Sequence, residues 1–179
     1  MIRISTSQSD LDTPHPKTRE HLVKVIGRET IHPVVFYTGK VAGYTTWVLL
    51  ALSICDVFDI GHTKVDALRY TSYCMLLIEM LITTISLINL GSSTRLGLPK
   101  EATTFKKNGL YKLSRNPMYV GFDLITVASI LYHLTLPVII LGLYSLTTYH
   151  MIIVGEERFL ATHFGQDYIN YKAKVRRYL

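Results

Sequence analysis

The sequence predicts an all-α protein, a polytopic membrane helix bundle with about four spans. Two observations support this fold class. Apolar residues make up 49% of the 179 residues and charged residues only 18%. The apolar residues are also gathered into stretches of roughly 17–25 residues, the length of helix that crosses a hydrocarbon core of about 30 Å.

The four predicted spans differ in length and polarity. Lys40 falls near one end of the first, where a long side chain can reach the lipid headgroups. The alternative is four buried core helices of a soluble protein, but the chain has too little polar sequence to cover them. The predicted spans are residues 36–57, 68–90, 117–134 and 136–155.

The basic residues predict the topology. Five Lys/Arg precede Pro33, six lie between Gly91 and Asn116, and five follow Gly155. Short loops rich in Lys/Arg remain in the cytosol, so both termini and the middle loop are predicted to be cytosolic. The formal net charge of +6 is therefore mainly a topological signal. A nucleic-acid partner is not predicted, because the basic residues are divided among three loops without a binding motif.

The N-terminal region reads as a tail. Residues 1–33 lack the apolar core of a secretory signal and are predicted to be a cytosolic tail. The spacing of apolar residues over 17–29 permits a short amphipathic helix on the membrane surface. Residues 34–179 are predicted to form one membrane domain.

Turn-forming and polar residues are concentrated in "NGLYKLSRNPMYVG", at the start of the third span. Pro117 suits the first turn of a helix, and Asn116 before it is a favoured N-cap. The free backbone N–H groups of such a helix start attract a carboxylate or phosphate, and Arg115 adds a full positive charge. An ordinary helix start, with the arginine anchored to lipid phosphates, explains the same residues.

A second polar segment, "GEERFLATHFGQDYINYKAKV", follows the fourth span. Glu156 and Glu157 are adjacent, so on a helix they point about 100° apart and only one easily faces a shared site. The alternative is that both carboxylates are solvated just outside the bilayer. An apolar-aromatic stripe suited to packing follows at Leu160, Phe164, Tyr168 and Tyr171.

Together the two segments resemble the integral-membrane isoprenylcysteine carboxyl methyltransferase family. That family carries G-x-Y-x-x-x-R-[HN]-P-x-Y-x-G and then E-E-x-x-L-x-x-x-F-G-x-x-Y-x-x-Y, and both patterns occur here in order. The related phospholipid methyltransferases share a looser version. The resemblance covers roughly residues 91–179, whereas the first two spans match only in being spans.

The resemblance implies that S-adenosylmethionine binds at the cytosolic face and that a lipophilic acceptor enters from the bilayer. Arg115 and Glu156 would position the reactants, and no metal is implied. The cofactor-binding residues that the resemblance implies are Thr103, Thr104, Phe105, Lys106, Gly109, Leu110, Tyr111, Asn116, Pro117, Met118, Tyr119 and Glu156.

Two departures from the family pattern bear on the acceptor. Asn116 stands where eukaryotic members commonly have histidine, and Ile152 replaces the arginine one turn before the first glutamate. Since that arginine is associated with the acceptor, the prenylcysteine carboxylate is only one candidate. The alternatives are a phospholipid or amine acceptor, a nicotinamide-dependent activity like that of the longer sterol reductases, and a non-catalytic relative.

Three further polar residues fall within the predicted spans. Glu79 and Asp123 are intramembrane carboxylates, which are costly and often functional. Glu79 is predicted to have a structural role, whereas Asp123 could face the acceptor or take part in packing. His150, near the cytosolic end of the fourth span, is predicted to be a packing histidine.

Overall fold

The computed structural model describes residues 31–58, 60–90 and 107–179, and confirms the all-α class for this part of the chain. An isolated bridge between Ser114 and Arg176 is the one β-type pairing within these residues. The α-helices are α1 (Pro33–Ile54), α2 (Asp66–Leu90), α3 (Pro117–His133), α4 (Leu136–Phe164) and α5 (Gln166–Lys174), with a 3₁₀ helix at Gly109–Lys112.

Each predicted span coincides with a long helix, but two boundaries differ. The first helix ends at Ile54 instead of continuing to residue 57, and Asp56 beyond it has a φ of 54°. The fourth continues past Gly155 to Phe164, because the residues after the apolar stretch remain good helix formers until the glycine at 165. Glu156 and Glu157 therefore lie on α4 itself.

Two of the helices, α2 and α4, are long and apolar enough to cross a membrane by length and composition. Only 11% of the apolar window of α2 is buried inside the protein, which disfavours the interpretation of α2 as the core helix of a soluble protein. The other two fall short of that measure, α3 with 17 residues. The number of four spans therefore stays a prediction.

The helices pack as two main pairs, α2 with α3 and α1 with α4. Glycines bring α1 close to α4, because a Cβ on Gly39 would overlap Thr148 and one on Gly43 would lie 2.5 Å from the hydroxyl of Ser145. Small residues at a helix contact are the usual means of close approach in a membrane, where packing replaces the hydrophobic driving force.

Gly39→Ala is expected to destabilise the bundle by about 1–3 kcal/mol, the usual cost of forcing a methyl group into a packed contact. The measurement is the thermal unfolding temperature in detergent, with Val41→Ala as the control. Val41 is on the same helix but 62% exposed, so its truncation should change little. An unchanged unfolding temperature for Gly39→Ala would contradict the close α1–α4 contact.

Candidate functional site

Glu157 holds together the start of α3, the end of α4 and the C-terminus. Its side chain is only 3% exposed. Arg115 donates to it from Nε at 3.0 Å, and Asn116 donates from Nδ2 at 3.3 Å. Arg177 donates from Nε and Nη2, the latter at 3.0 Å. We call these four residues the Glu157 cluster.

The same cluster holds the C-terminal segment, residues 175–179, against the start of α3. The backbone N–H of Arg115 donates to the carbonyl of Arg176 at 2.9 Å. The guanidinium of Arg115 also donates to the Val175 carbonyl at 2.6 Å, and Asn116 Nδ2 donates to the Arg177 carbonyl at 3.2 Å. The last residues of the chain thus form one wall of the site.

These contacts change the interpretation of Asn116 and Arg115. The helix begins at Pro117 as predicted, but the Asn116 side chain makes no capping hydrogen bond. The anion beside the start of α3 is the protein's own Glu157. Arg115 is therefore occupied by an internal ion pair at 2.9 Å, and the interpretation of Glu157 as a solvated carboxylate is wrong.

The ionisation of Glu157 is set by competing effects. Burial on its own would raise the pKa of this carboxyl group, but the hydrogen bonds and charges of Arg177 and Arg115 outweigh burial. The pKa consequently lies below its ordinary value, so Glu157 is a carboxylate at neutral pH. Its role is to neutralise two guanidinium groups and join three segments.

Glu156 faces a different set of partners. Tyr119 on α3 donates its phenolic proton to Glu156 Oε1 at 2.8 Å. Lys40 on α1 acts on Glu156 through its charge and lies 4.1 Å from the centroid of the Phe36 ring. We call Glu156, Tyr119 and Lys40 the Glu156 cluster. The two adjacent glutamates therefore diverge as helix geometry predicts.

The Glu156 carboxyl group lies just beyond the apolar stretch of α4, and its pKa is raised to about 7. Burial is the main cause, and the Tyr119 hydrogen bond and the Lys40 charge oppose it. A carboxyl group that titrates near neutral pH is typical of functional sites, although buried structural groups show the same behaviour.

Sequence reasoning missed the role of Lys40. It was expected to extend to the lipid headgroups, yet it is 7% exposed and packed on Phe36. That expectation is wrong. The signal available in the sequence was its placement, since a lysine a few residues inside a span is costly to bury without an anionic partner.

The 3₁₀ helix brings the predicted residues Gly109, Leu110 and Tyr111 beside α5. The phenol of Tyr171 donates a hydrogen bond to the carbonyl of Tyr111. Burial, followed by the charges of Tyr171 and Glu156, raises the pKa of Tyr111 to about 12, so its phenol stays protonated near the Glu156 cluster. Gly109, at a φ of 60°, lies against Asn89 of α2.

The structure brings together only part of the predicted cofactor-binding set. Pro117, Met118 and Tyr119 are buried in the first turn of α3, and of these Tyr119 contacts Glu156. Arg115 and Asn116 contact Glu157 instead. Thr103, Thr104, Phe105 and Lys106 lie outside the described residues.

The position of Ile152 agrees with the loss of an acceptor-binding arginine. Its side chain is fully buried in an apolar cluster with Phe36, Tyr119, Tyr149 and Ile153. Nothing at this position offers a charge to an acceptor. Acceptor recognition, if it involves a charged side chain, must rely on other residues.

The three polar residues of the spans have different surroundings. Glu79 is buried on α2 at 8% exposure. His150 is exposed, and its Nδ1 lies 2.7 Å from the Tyr178 hydroxyl of the C-terminal segment, so it is not the buried packing histidine that was predicted. Asp123 is half-buried on α3, and its Oδ1 has no hydrogen-bond partner among the described residues.

Comparison with known proteins gives one family match. The phospholipid methyltransferase family model matches residues 68–167, more than half of the chain. No curated protein and no solved structure matches significantly. The matched range includes most of α2, whereas the sequence motifs had tied only residues 91–179 to a family. It contains the starting residues of α3 and both glutamates of α4. The chain is therefore a membrane protein that belongs to the phospholipid methyltransferase family.

Proposed function

We propose that the protein transfers a methyl group from S-adenosylmethionine to a lipid acceptor at the cytosolic ends of α1, α3 and α4. Family membership supports the reaction class. The observation that carries the proposal is the Glu156 cluster, where an ammonium and a carboxyl group meet beneath the end of α4. When bound, the cofactor supplies a methyl group on a positively charged sulfur, which the acceptor's lone pair displaces.

The residues of the Glu156 cluster suit the amino-acid end of this cofactor. That end carries one ammonium and one carboxylate, and Glu156 and Lys40 offer the complementary charges. Tyr119 fixes one oxygen of Glu156 by its hydrogen bond at 2.8 Å. A group with shared, desolvated charges of this kind can orient a zwitterion better than solvated residues can.

The site has little need of further catalytic groups. Positioning of the reactants and exclusion of water can supply most of the acceleration of a displacement whose electrophile is already activated. A carboxylate acceptor needs no base, whereas an amine acceptor must first lose a proton. The isoprenylcysteine-type carboxylate and the phospholipid amine are the two acceptor classes that follow from the motifs and the family.

Calorimetric titration of the detergent-solubilised protein tests the proposal. We expect S-adenosylmethionine to bind with a stoichiometry near one and NADPH not to bind. Incubation with cofactor carrying a labelled methyl group and with total membrane extract should then place the label in the lipid fraction. Binding of NADPH alone would favour a reductase, and binding of neither would favour a non-catalytic relative. Label confined to the aqueous fraction would contradict a lipid acceptor.

The proposed orientation places both termini in the cytosol and residues 59–66 outside. Lys64 is exposed in this loop, whereas Thr63 is 6% exposed, so Lys64→Cys is the better labelling site. Cys55 and Cys74 are free and exposed and should first be replaced by serine. A membrane-impermeant maleimide should label Lys64→Cys in intact cells. Labelling only after the cytosolic side is opened would contradict the orientation.

A further inference from the structure

Three unpaired polar atoms lie along the contact between α3, α4 and α1. Asp123 Oδ1, the Ser145 hydroxyl and the Tyr149 hydroxyl are buried and have no hydrogen-bond partner within the described part of the chain. Ser145 and Tyr149 are one helical turn apart, and both approach Gly43. Buried polar groups are nearly always paired, so unpaired ones grouped together indicate a place where a polar ligand completes the set.

Asp123 lies between the two glutamate clusters. It follows Asn116 by about two turns of α3, on the same side of the helix. Tyr178 of the C-terminal segment is near enough for the Asp123 charge to raise its pKa, after the larger effect of burial. Tyr178 in turn stacks on His150, with ring centroids 6.2 Å apart. The carboxyl group thus faces the contact between α3 and α4 close to the proposed cofactor site.

Aromatic rings cover the approach to Asp123. Trp47 stacks on Tyr149, with centroids 6.3 Å apart and an interplanar angle of 11°. Phe122, the neighbour of Asp123, lies 5.1 Å from Trp47 and 5.9 Å from Tyr149. Aromatic faces beside a carboxylate form the kind of surroundings that attract an alkylated ammonium, by cation–π contact as well as by charge.

We propose that Asp123 selects the acceptor by binding the ammonium of an amine lipid within this group of aromatic rings. A carboxylate acceptor would be repelled by the same side chain, and the position of the missing arginine, Ile152, supplies no charge to offset that repulsion. This inference rests on the proposed methyl transfer and adds to it the class of acceptor and the residue that recognises it.

Asp123 would also remove the proton that makes an ammonium unreactive. One N–H bond of the ammonium breaks, its electron pair stays on nitrogen as a lone pair, and the proton forms an O–H bond with the Asp123 carboxylate. Since Oδ1 has no internal donor, nothing in the described part of the fold competes for it. The amine is then neutral and nucleophilic beside the proposed cofactor site.

Trp47 provides a direct readout of binding, because it is the one tryptophan of the chain and stacks on Tyr149. We would titrate the detergent-solubilised protein with dodecylamine, dodecanol and dodecanoate and follow Trp47 fluorescence. We expect dodecylamine alone to give a saturable change. Asp123→Asn should weaken this binding at least about tenfold, the equivalent of 1.4 kcal/mol, and Asp123→Glu should restore part of it.

Glu79→Gln is the matched control, since it neutralises the other intramembrane carboxyl group, on α2. It should leave the dodecylamine titration unchanged. Saturable binding of dodecanoate at the same concentration, or unchanged dodecylamine binding in Asp123→Asn, would overturn the assignment. Because Asp123→Asn removes charge but no internal hydrogen bond of Oδ1, the variant should elute from size exclusion as the unaltered protein does.

Calorimetry with S-adenosylmethionine on the same samples separates the two proposals. Asp123-dependent amine binding without cofactor binding would support the amine site and contradict the methyl-transfer function. Cofactor binding with Asp123-independent amine binding would contradict only the assignment of Asp123. In labelled-methyl assays, Asp123→Asn should raise the KM for the lipid amine and leave cofactor affinity unchanged.

Discussion

Glu157→Gln should unfold the cytosolic end of the bundle. The substitution keeps the size of the side chain but leaves the guanidinium groups of Arg115 and Arg177 without their shared carboxylate. Removing one partner of a buried ion pair typically costs about 3–5 kcal/mol, because the remaining charge stays desolvated. We expect a large fall in the thermal unfolding temperature in detergent and a lower yield of monodisperse protein.

The same exchange at a surface ion pair is the control. Asp66 pairs with Arg69 at 2.7 Å, but its side chain is 70% exposed. Exposed pairs contribute little, so Asp66→Asn should shift the unfolding temperature slightly. Equal effects of Asp66→Asn and Glu157→Gln would mean that the Glu157 cluster does not hold the C-terminal segment in place.

The pH dependence of stability provides a second check on Glu157. The pKa of this group is lower in the folded protein than the ordinary value of 4.5. Its ionisation therefore stabilises the fold fully above about pH 4.5, and that contribution is lost as the pH falls through 4.5 toward the folded pKa. The difference in stability between the unaltered protein and Glu157→Gln should accordingly shrink in acid.

The helices and their polar ends could be predicted because they depend on local patterns. Apolar stretches of membrane length and a proline at the first turn fix where α3 begins, whatever it packs against. The divergence of Glu156 and Glu157 follows from helix geometry in the same way. These features need no knowledge of the partner segments.

The pairing of charges could not be predicted in this way. Which glutamate meets Arg115 depends on the rotation of α4 against α3, and the last residues of the chain supply Arg177 to the same carboxylate. Adjacent residues with the same chemistry give the sequence no means to decide between them. Lys40 was misjudged for the same reason, since its carboxylate partner is more than a hundred residues away.

Glu156→Gln should weaken S-adenosylmethionine binding at least about tenfold while leaving the protein folded, if Glu156 binds the cofactor's ammonium. Glu156 accepts one hydrogen bond, from Tyr119, which a glutamine oxygen can also accept. Glu157→Gln, which was expected from sequence to matter less, is instead expected to act through loss of structure. Calorimetry on folded Glu156→Gln therefore isolates the binding effect.

The pH profile tests the same assignment without relying on the loss of a side chain. The folded Glu156 keeps its proton to about pH 7, whereas the unfolded group releases it near 4.5, so its ionisation costs stability as pH rises through that window. A bound ammonium offsets this cost, because it favours the charged carboxylate. If only the ionised form binds, affinity should rise about eightfold between pH 6 and pH 7.5. That range ends before the cofactor's own amino group titrates, near pH 7.7–8.0 for an ordinary α-amino group. Glu156→Gln should give a flat profile over the same range, and a parallel rise in both proteins would assign the titration to another group and contradict the role of Glu156.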